Sequence, residues 1–117
     1  MARPEYPQAM NDNLVALDLT RFTRADAQKL ADLQKKVTMM RRWCRCERAE
    51  KNRRDTFELY SGDSGAQPYA NYRITRREDG GYLLEDGRSE AHIAGGRTID
   101  SVIDALPDDF YFTKYLT

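Results

Sequence analysis

The sequence predicts an α+β fold, with a long N-terminal helix packed on a three- to four-stranded antiparallel sheet and followed by a short C-terminal helix. Three observations carry this expectation. Leu30, Leu33, Val37, Met40 and Cys44 recur at spacings of three and four behind a helix-start signal, Thr23-x-x-Asp26. Between residues 55 and 94, short runs that alternate apolar and polar side chains are separated by Gly, Asp and Ser. Finally, Thr98 opens a stripe of Ile99, Val102, Ile103 and Leu106 that Pro107 closes. A length of 117 residues suits a single domain with one hydrophobic core.

The elements follow in order. Residues 1–13 carry Pro4, Pro7 and Asn11-Asp12-Asn13, a composition for an irregular lead-in. The apolar run from Leu14 to Phe22 reads either as an edge strand or as a loop packed on the core. The long helix is expected over 24–52. Beyond Cys44 its stripe becomes Glu47, Arg48 and Lys51, so the last turns have no apolar side to bury and should project past the core. On such a helix Cys44 and Cys46 lie on nearly opposite sides, which rules out a shared metal ion or a disulfide.

The sheet is expected over 55–94. Thr56 to Tyr60 sends Phe57 and Leu59 inward, and Tyr69 to Arg77 does the same with Ala70, Tyr72 and Ile74. Asp79-Gly80-Gly81 supplies a hairpin turn into Tyr82 to Asp86, and Asp86-Gly87-Arg88-Ser89 turns the chain into Glu90 to Ala94. A short helix over 98–106 leads to a tail, 107–117, whose aromatic residues should dock on the core.

Composition narrows the function classes. Apolar residues make up 40% and charged residues 32%, which describes a well-solvated globule. No apolar run approaches the roughly 20 residues of a membrane span. No secretion signal is recognisable in MARPEYPQAMNDN, and two cysteines are too few for a disulfide scaffold, so a reducing cytoplasmic setting is expected. The net charge of zero hides a division: residues 35–54 hold nine Lys or Arg against two Glu, whereas from Asp55 onward twelve Asp or Glu face six Lys or Arg.

The basic segment is the leading candidate for function. Lysines and arginines with no apolar duty are what phosphate contacts need, and counterion release from a polyanion supplies the affinity. Lys35, Arg41, Arg42, Arg45, Arg48, Arg53 and Arg54 are therefore the expected nucleic-acid contacts, with Trp43 between them for stacking or as an interface anchor. The expectation is a non-enzymatic binding or regulatory protein that contacts nucleic acid or a complex handling it. The alternative is a protein-binding inhibitor or adaptor that uses Trp43 with the acidic half, including Glu85, Asp86, Asp104, Asp108 and Asp109, or a homodimer formed through the stripe of the long helix. The competing description of the basic segment is a solvated helix end complementing the helix dipole. Arg73, Arg77 and Tyr69 share a face of the second expected strand, an arrangement that suits nucleic acid and ordinary solvated sheets alike.

Catalytic signals are weak, and no enzyme activity, cofactor or metal is expected. Ser61-Gly62-Asp63-Ser64-Gly65 contains the GDSG string of chymotrypsin-like proteases, but the chain is too short for two barrels and has one histidine, His92. Glu90 and His92 would share one side of a strand. Gly95-Gly96-Arg97-Thr98 lacks phosphate-loop spacing and reads as a strand-to-helix turn. The helix–strands–helix order is similar to that of double-stranded-RNA-binding domains, and residues 80–107 to the strand-strand-helix of HicB-type antitoxins. However, the short second helix has no Lys or Arg where the RNA-binding family places a lysine cluster, and the antitoxin likeness reduces to a glycine turn and a capped helix. No family is assigned.

Overall fold

A computed structural model describes residues 18–63 and 65–112; the lead-in 1–13, the start of the Leu14–Phe22 run, Ser64 and tail residues 113–117 lie outside them. The fold is α+β. Helix α1 (Arg24–Met39) begins with the capping box read from the sequence: Thr23 Oγ1 accepts from the Asp26 amide at 3.0 Å, and the Asp26 carboxylate accepts from the Thr23 amide at 3.0 Å. Its apolar stripe turns Leu30, Leu33 and Val37 into the core.

The helix does not run to Asn52. The Met40 amide bonds back to Lys36 and Val37, and Arg41 then takes a left-handed conformation at φ 63° and donates to the Thr38 carbonyl. Residues Trp43–Lys51 form strand β1 instead. As a helix, this segment would leave two solvated turns without tertiary contact, and such helices gain little. As a strand, it turns Cys44, buried, and Cys46, half-buried, toward the core at period two and pairs along its whole length with β2 (Arg54–Gly62), from Trp43↔Gly62 to Lys51↔Arg54. Between them Asn52 and Arg53 both have positive φ (54° and 64°), as a two-residue type I′ turn demands.

The sheet thus has five strands, one more than expected, in the order β1-β2-β3-β4-β5 with every neighbour antiparallel. Strands β3 (Tyr72–Arg76), β4 (Tyr82–Asp86) and β5 (His92–Gly96) follow. The β3–β4 turn falls at Asp79-Gly80-Gly81, where Gly80 has φ +88° and the Asp79 carboxylate accepts the Gly81 amide at 2.9 Å. Helix α2 (Ile99–Ile103) is capped by Thr98, and a 3-10 turn (Asp108–Phe110) closes the described chain.

One side of the sheet holds the core. Phe57, Leu59, Tyr72, Ile74, Tyr82 and Leu84 meet Phe22, the α1 stripe, Ile99, Val102, Leu106 and Phe110. Burial of each large apolar side chain contributes about 1.5–3 kcal/mol before entropy is counted. Phe110 is fully buried, so this part of the tail docks, while Phe112 remains exposed. Leu30, Leu33, Val37 and Cys44 are likewise buried inside their own domain, which leaves Met40 as the exposed apolar member of the stripe through which a homodimer was expected.

Candidate functional site

Because Trp43–Lys51 is a strand, its side chains sort with period two rather than along helical faces. The register with β2 sends Cys44, Cys46, Arg48 and Glu50 to the helix side, and Trp43, Arg45, Glu47, Ala49 and Lys51 to the opposite, open side. A helix over 24–52 would line Arg41, Arg45 and Arg48 along one side; on the strand, Arg45 and Arg48 point to opposite sides of the sheet and Arg41 precedes it, so that grouping is not formed.

The structure distributes the seven expected phosphate contacts widely. Arg42 is buried, with Nη1 2.6 Å from Asp63 Oδ1 and donor bonds to the Phe110 and Asp109 carbonyls at 3.1 and 2.9 Å. Arg48 lies over Phe22 and Phe57 and donates to both Asp55 carboxylate oxygens at 3.0 and 2.5 Å. Burial alone would raise the Asp55 carboxyl, but Arg48, the Phe22 amide and Arg21 together hold it below the usual carboxylate range. Arg54 pairs with Glu78 at 2.9 Å. Lys35, Arg41 and Arg53 are exposed, the last two at opposite ends of β1, roughly 30 Å apart at strand rise.

Arg45 and Trp43 stay together on the open side. The Arg45 guanidinium sits 4.5 Å from the Tyr60 ring centroid and 5.6 Å from that of Trp43, whose rings meet edge-on at 6.2 Å. The Arg45 charge is only loosely shared with Glu47 at 3.7 Å. The adjacent row runs Glu47–Glu58–Arg73–Glu85 across four strands. Here Arg73 is buried, lies 3.8 Å from the Glu58 carboxylate and donates to the Gly87 carbonyl at 3.1 Å, and its Nε has no hydrogen-bond partner among the described residues. Both helices contribute to the single core on the other side, and none of these open-side residues belongs to it.

The expected acidic surface does not gather on one face. Glu85 lies in the open row, whereas Asp86 accepts the Arg88 and Ser89 amides at 2.9 Å each to shape the β4–β5 turn. Asp104 is the C-cap of α2, Asp108 opens the 3-10 turn, and Asp109 accepts the Tyr72 hydroxyl. Glu90 sits in a turn at φ 65°, outside β5, so it does not share a strand face with His92, which is exposed opposite Glu85. Any side chain at Gly96 would meet Ser101 Oγ at 1.9 Å, so that turn is packed and offers no phosphate cradle. Tyr69 and Arg77 fall outside β3, and Tyr69 packs under Arg88 at 5.0 Å.

The geometry that separated the cysteines is also overturned: both side chains turn to the helix side, where the neighbouring thiol holds Cys44 below the ordinary thiol range and, together with burial, pushes Cys46 up. Among the described residues no group of three or more His, Cys, Asp or Glu side chains could hold a metal ion, and no helix is long and apolar enough to cross a membrane.

The sequence reading missed the most connected side chain. Arg76 is buried between Phe22 and Tyr82, bonds to the carbonyls of Leu19, Arg21, Gly80 and Gly81, and pairs with Asp26 at 3.3 Å; Asp26 in turn accepts the Tyr82 hydroxyl at 2.8 Å. The only sequence signal was its even position beside Tyr72 and Ile74. A cleft of about 320 Å³ beside it mixes both charges, with Arg21, Arg53 and Arg54 facing Glu50, Asp55 and Glu78. No protein-family model matches the chain, and neither does any curated protein or solved structure.

Proposed function

We propose that the chain is a non-enzymatic binding protein that docks a protein partner on the open side of its sheet, centred on Trp43, Arg45 and Tyr60. The single observation that carries this reading is the Arg45 guanidinium layered on two aromatic rings where no helix of the described chain covers the sheet. Trp, Tyr and Arg are the residues enriched at energetic centres of interfaces, because they offer large rigid area with a polar handle. A partner supplying a carboxylate to Arg45 and an apolar group to Trp43 would satisfy both. Nucleic acid is the less favoured ligand, because Arg42, Arg48 and Arg54 already face carboxylates of the same chain and Arg41 and Arg53 stand at opposite ends of a strand.

The test is affinity capture from host extract with the full chain, beside Trp43→Ala and Arg45→Ala variants whose circular dichroism matches wild type. The expected result is a protein retained by wild type, weakened about tenfold or more by either substitution, and free of nucleic acid. Co-elution of nucleic acid that is lost at high salt and with Arg41→Glu/Arg53→Glu would replace this reading with the phosphate-binding one.

A further inference from the structure

We infer that β1 pairs edge to edge with β1 of a second copy, antiparallel, with Ala49 on the two-fold axis. This concerns the edge of the sheet rather than its open side, so it stands or falls separately from the docking reading.

Strand β1 is the first strand of the sheet and, among the described residues, has a neighbour on one side only. Two observations identify which of its backbone groups point outward. The two-residue turn makes Lys51↔Arg54 a pair that bonds inward, so the even-numbered residues of β1 point away from β2. Independently, the Cys46 amide is taken by Gln34 Oε1 of α1 at 2.8 Å, which requires it to face outward. The helix therefore closes the edge at Cys46. Further along, the outward amides and carbonyls of Arg48 and Glu50 meet no partner among the described residues.

Edge strands are normally guarded by charge, and β1 is heavily charged. The arrangement of those charges is selective rather than uniformly repulsive. In a two-fold antiparallel pair, centring on Glu47, Arg48 or Glu50 sets two like charges against each other at the axis. Centring on Cys46 needs the amide that Gln34 already holds. Centring on Ala49 places a small residue against itself, Arg48 opposite Glu50 and Glu47 opposite Lys51, each pair occurring twice. Every charge from Glu47 to Lys51 then meets its opposite. The Arg48 guanidinium can serve both roles: Nε and Nη2 hold Asp55, while Nη1 makes no hydrogen bond among the described residues. Arg48 and Glu50 of each copy exchange backbone bonds in both directions, which joins two five-stranded sheets into one. The overlap is short, so a dimer with a Kd on the order of micromolar fits the low end of interface sizes.

Sedimentation velocity of the full chain tests this, from about 1 μM to about 1 mM. The expected result is a reversible monomer–dimer equilibrium. Glu47→Lys sets lysines opposite Lys51, and Lys51→Glu sets glutamates opposite Glu47, so each alone should weaken the dimer about tenfold or more. An equimolar mixture of the two variants restores opposite charges at both positions and should recover association, as should the double variant E47K/K51E in a single chain. Trp43→Ala should leave the equilibrium unchanged. A wild-type chain that stays monomeric throughout, or single variants that dimerise as wild type does, would overturn the inference, as would a mixture no tighter than its components.

Discussion

The two sides of the sheet hold the same residue types in opposite states. On the helix side, Arg76 and Arg42 are almost completely enclosed and bonded to carbonyls and carboxylates, and Arg48 caps Asp55 over a pair of phenylalanines. On the open side, Arg45 is exposed, lies on aromatic rings and touches one carboxylate weakly. Arg73 links the two conditions, since it is on the open side but buried between Glu58 and Gly87. An arginine's role here is set by how far its surroundings exclude water, which is greatest on the helix side and at Arg73 in the middle of the open side, and least at Arg45 on the edge strand.

That contrast makes quantitative predictions. Arg76→Met should cost the most, about 3–5 kcal/mol, because it leaves the Asp26 carboxylate buried without its charge partner. Urea denaturation measures this, and a loss below about 1 kcal/mol would place Arg76 in the same class as the open-side arginines. Asp55→Asn should cost less, about 1–3 kcal/mol, since it weakens charge-assisted bonds to Arg48 and to the Phe22 amide, while Arg48 remains partly solvated. Its pH signature follows from the depressed carboxyl. The unfolded chain takes up a proton near pH 4 while the native carboxylate resists, so this stabilisation is complete above that range and fades as pH falls through the lower native value. Acid titration of unfolding free energy should therefore fall more steeply for wild type than for Asp55→Asn. The smallest effect belongs to Arg45→Ala, which should change stability by no more than about 0.5 kcal/mol. A larger loss would mean that the aromatic stack holds the fold together, and would leave Arg45 less available to a partner.

Much of the architecture was legible because it rests on local signals. Thr23 and Asp26 close a capping box with each other, Gly80 supplies its own turn, and Thr98 caps the helix it precedes. Phe110 could be expected in the core because three consecutive aromatics are too apolar to stay in water. Residues 40–54 were misread for a definite reason. Their Arg, Glu, Ala and Lys favour a helix, and Cys44 continued the stripe of α1, while the competing period-two signal rested on Cys44 and Cys46 alone. The error carried over to the site, since a helical period grouped Arg41, Arg45 and Arg48 that a strand separates. Arg76 and Arg77 show the same limit: adjacent and chemically identical, one is enclosed and the other exposed.

The sequence by itself determined the α+β class, the start of α1, the turns, and an inward set that includes Leu30, Val37, Leu59 and Ile74, because caps, glycines and apolar periodicity act between residues close in the chain. Tertiary structure alone decided that Trp43–Lys51 is an edge strand, and with it which arginines are buried and which are presented. A strand has no internal hydrogen bonds; β1 exists because β2 offers it a full ladder and Gln34 of α1 closes one outward amide, and neither partner can be read from residues 43–51.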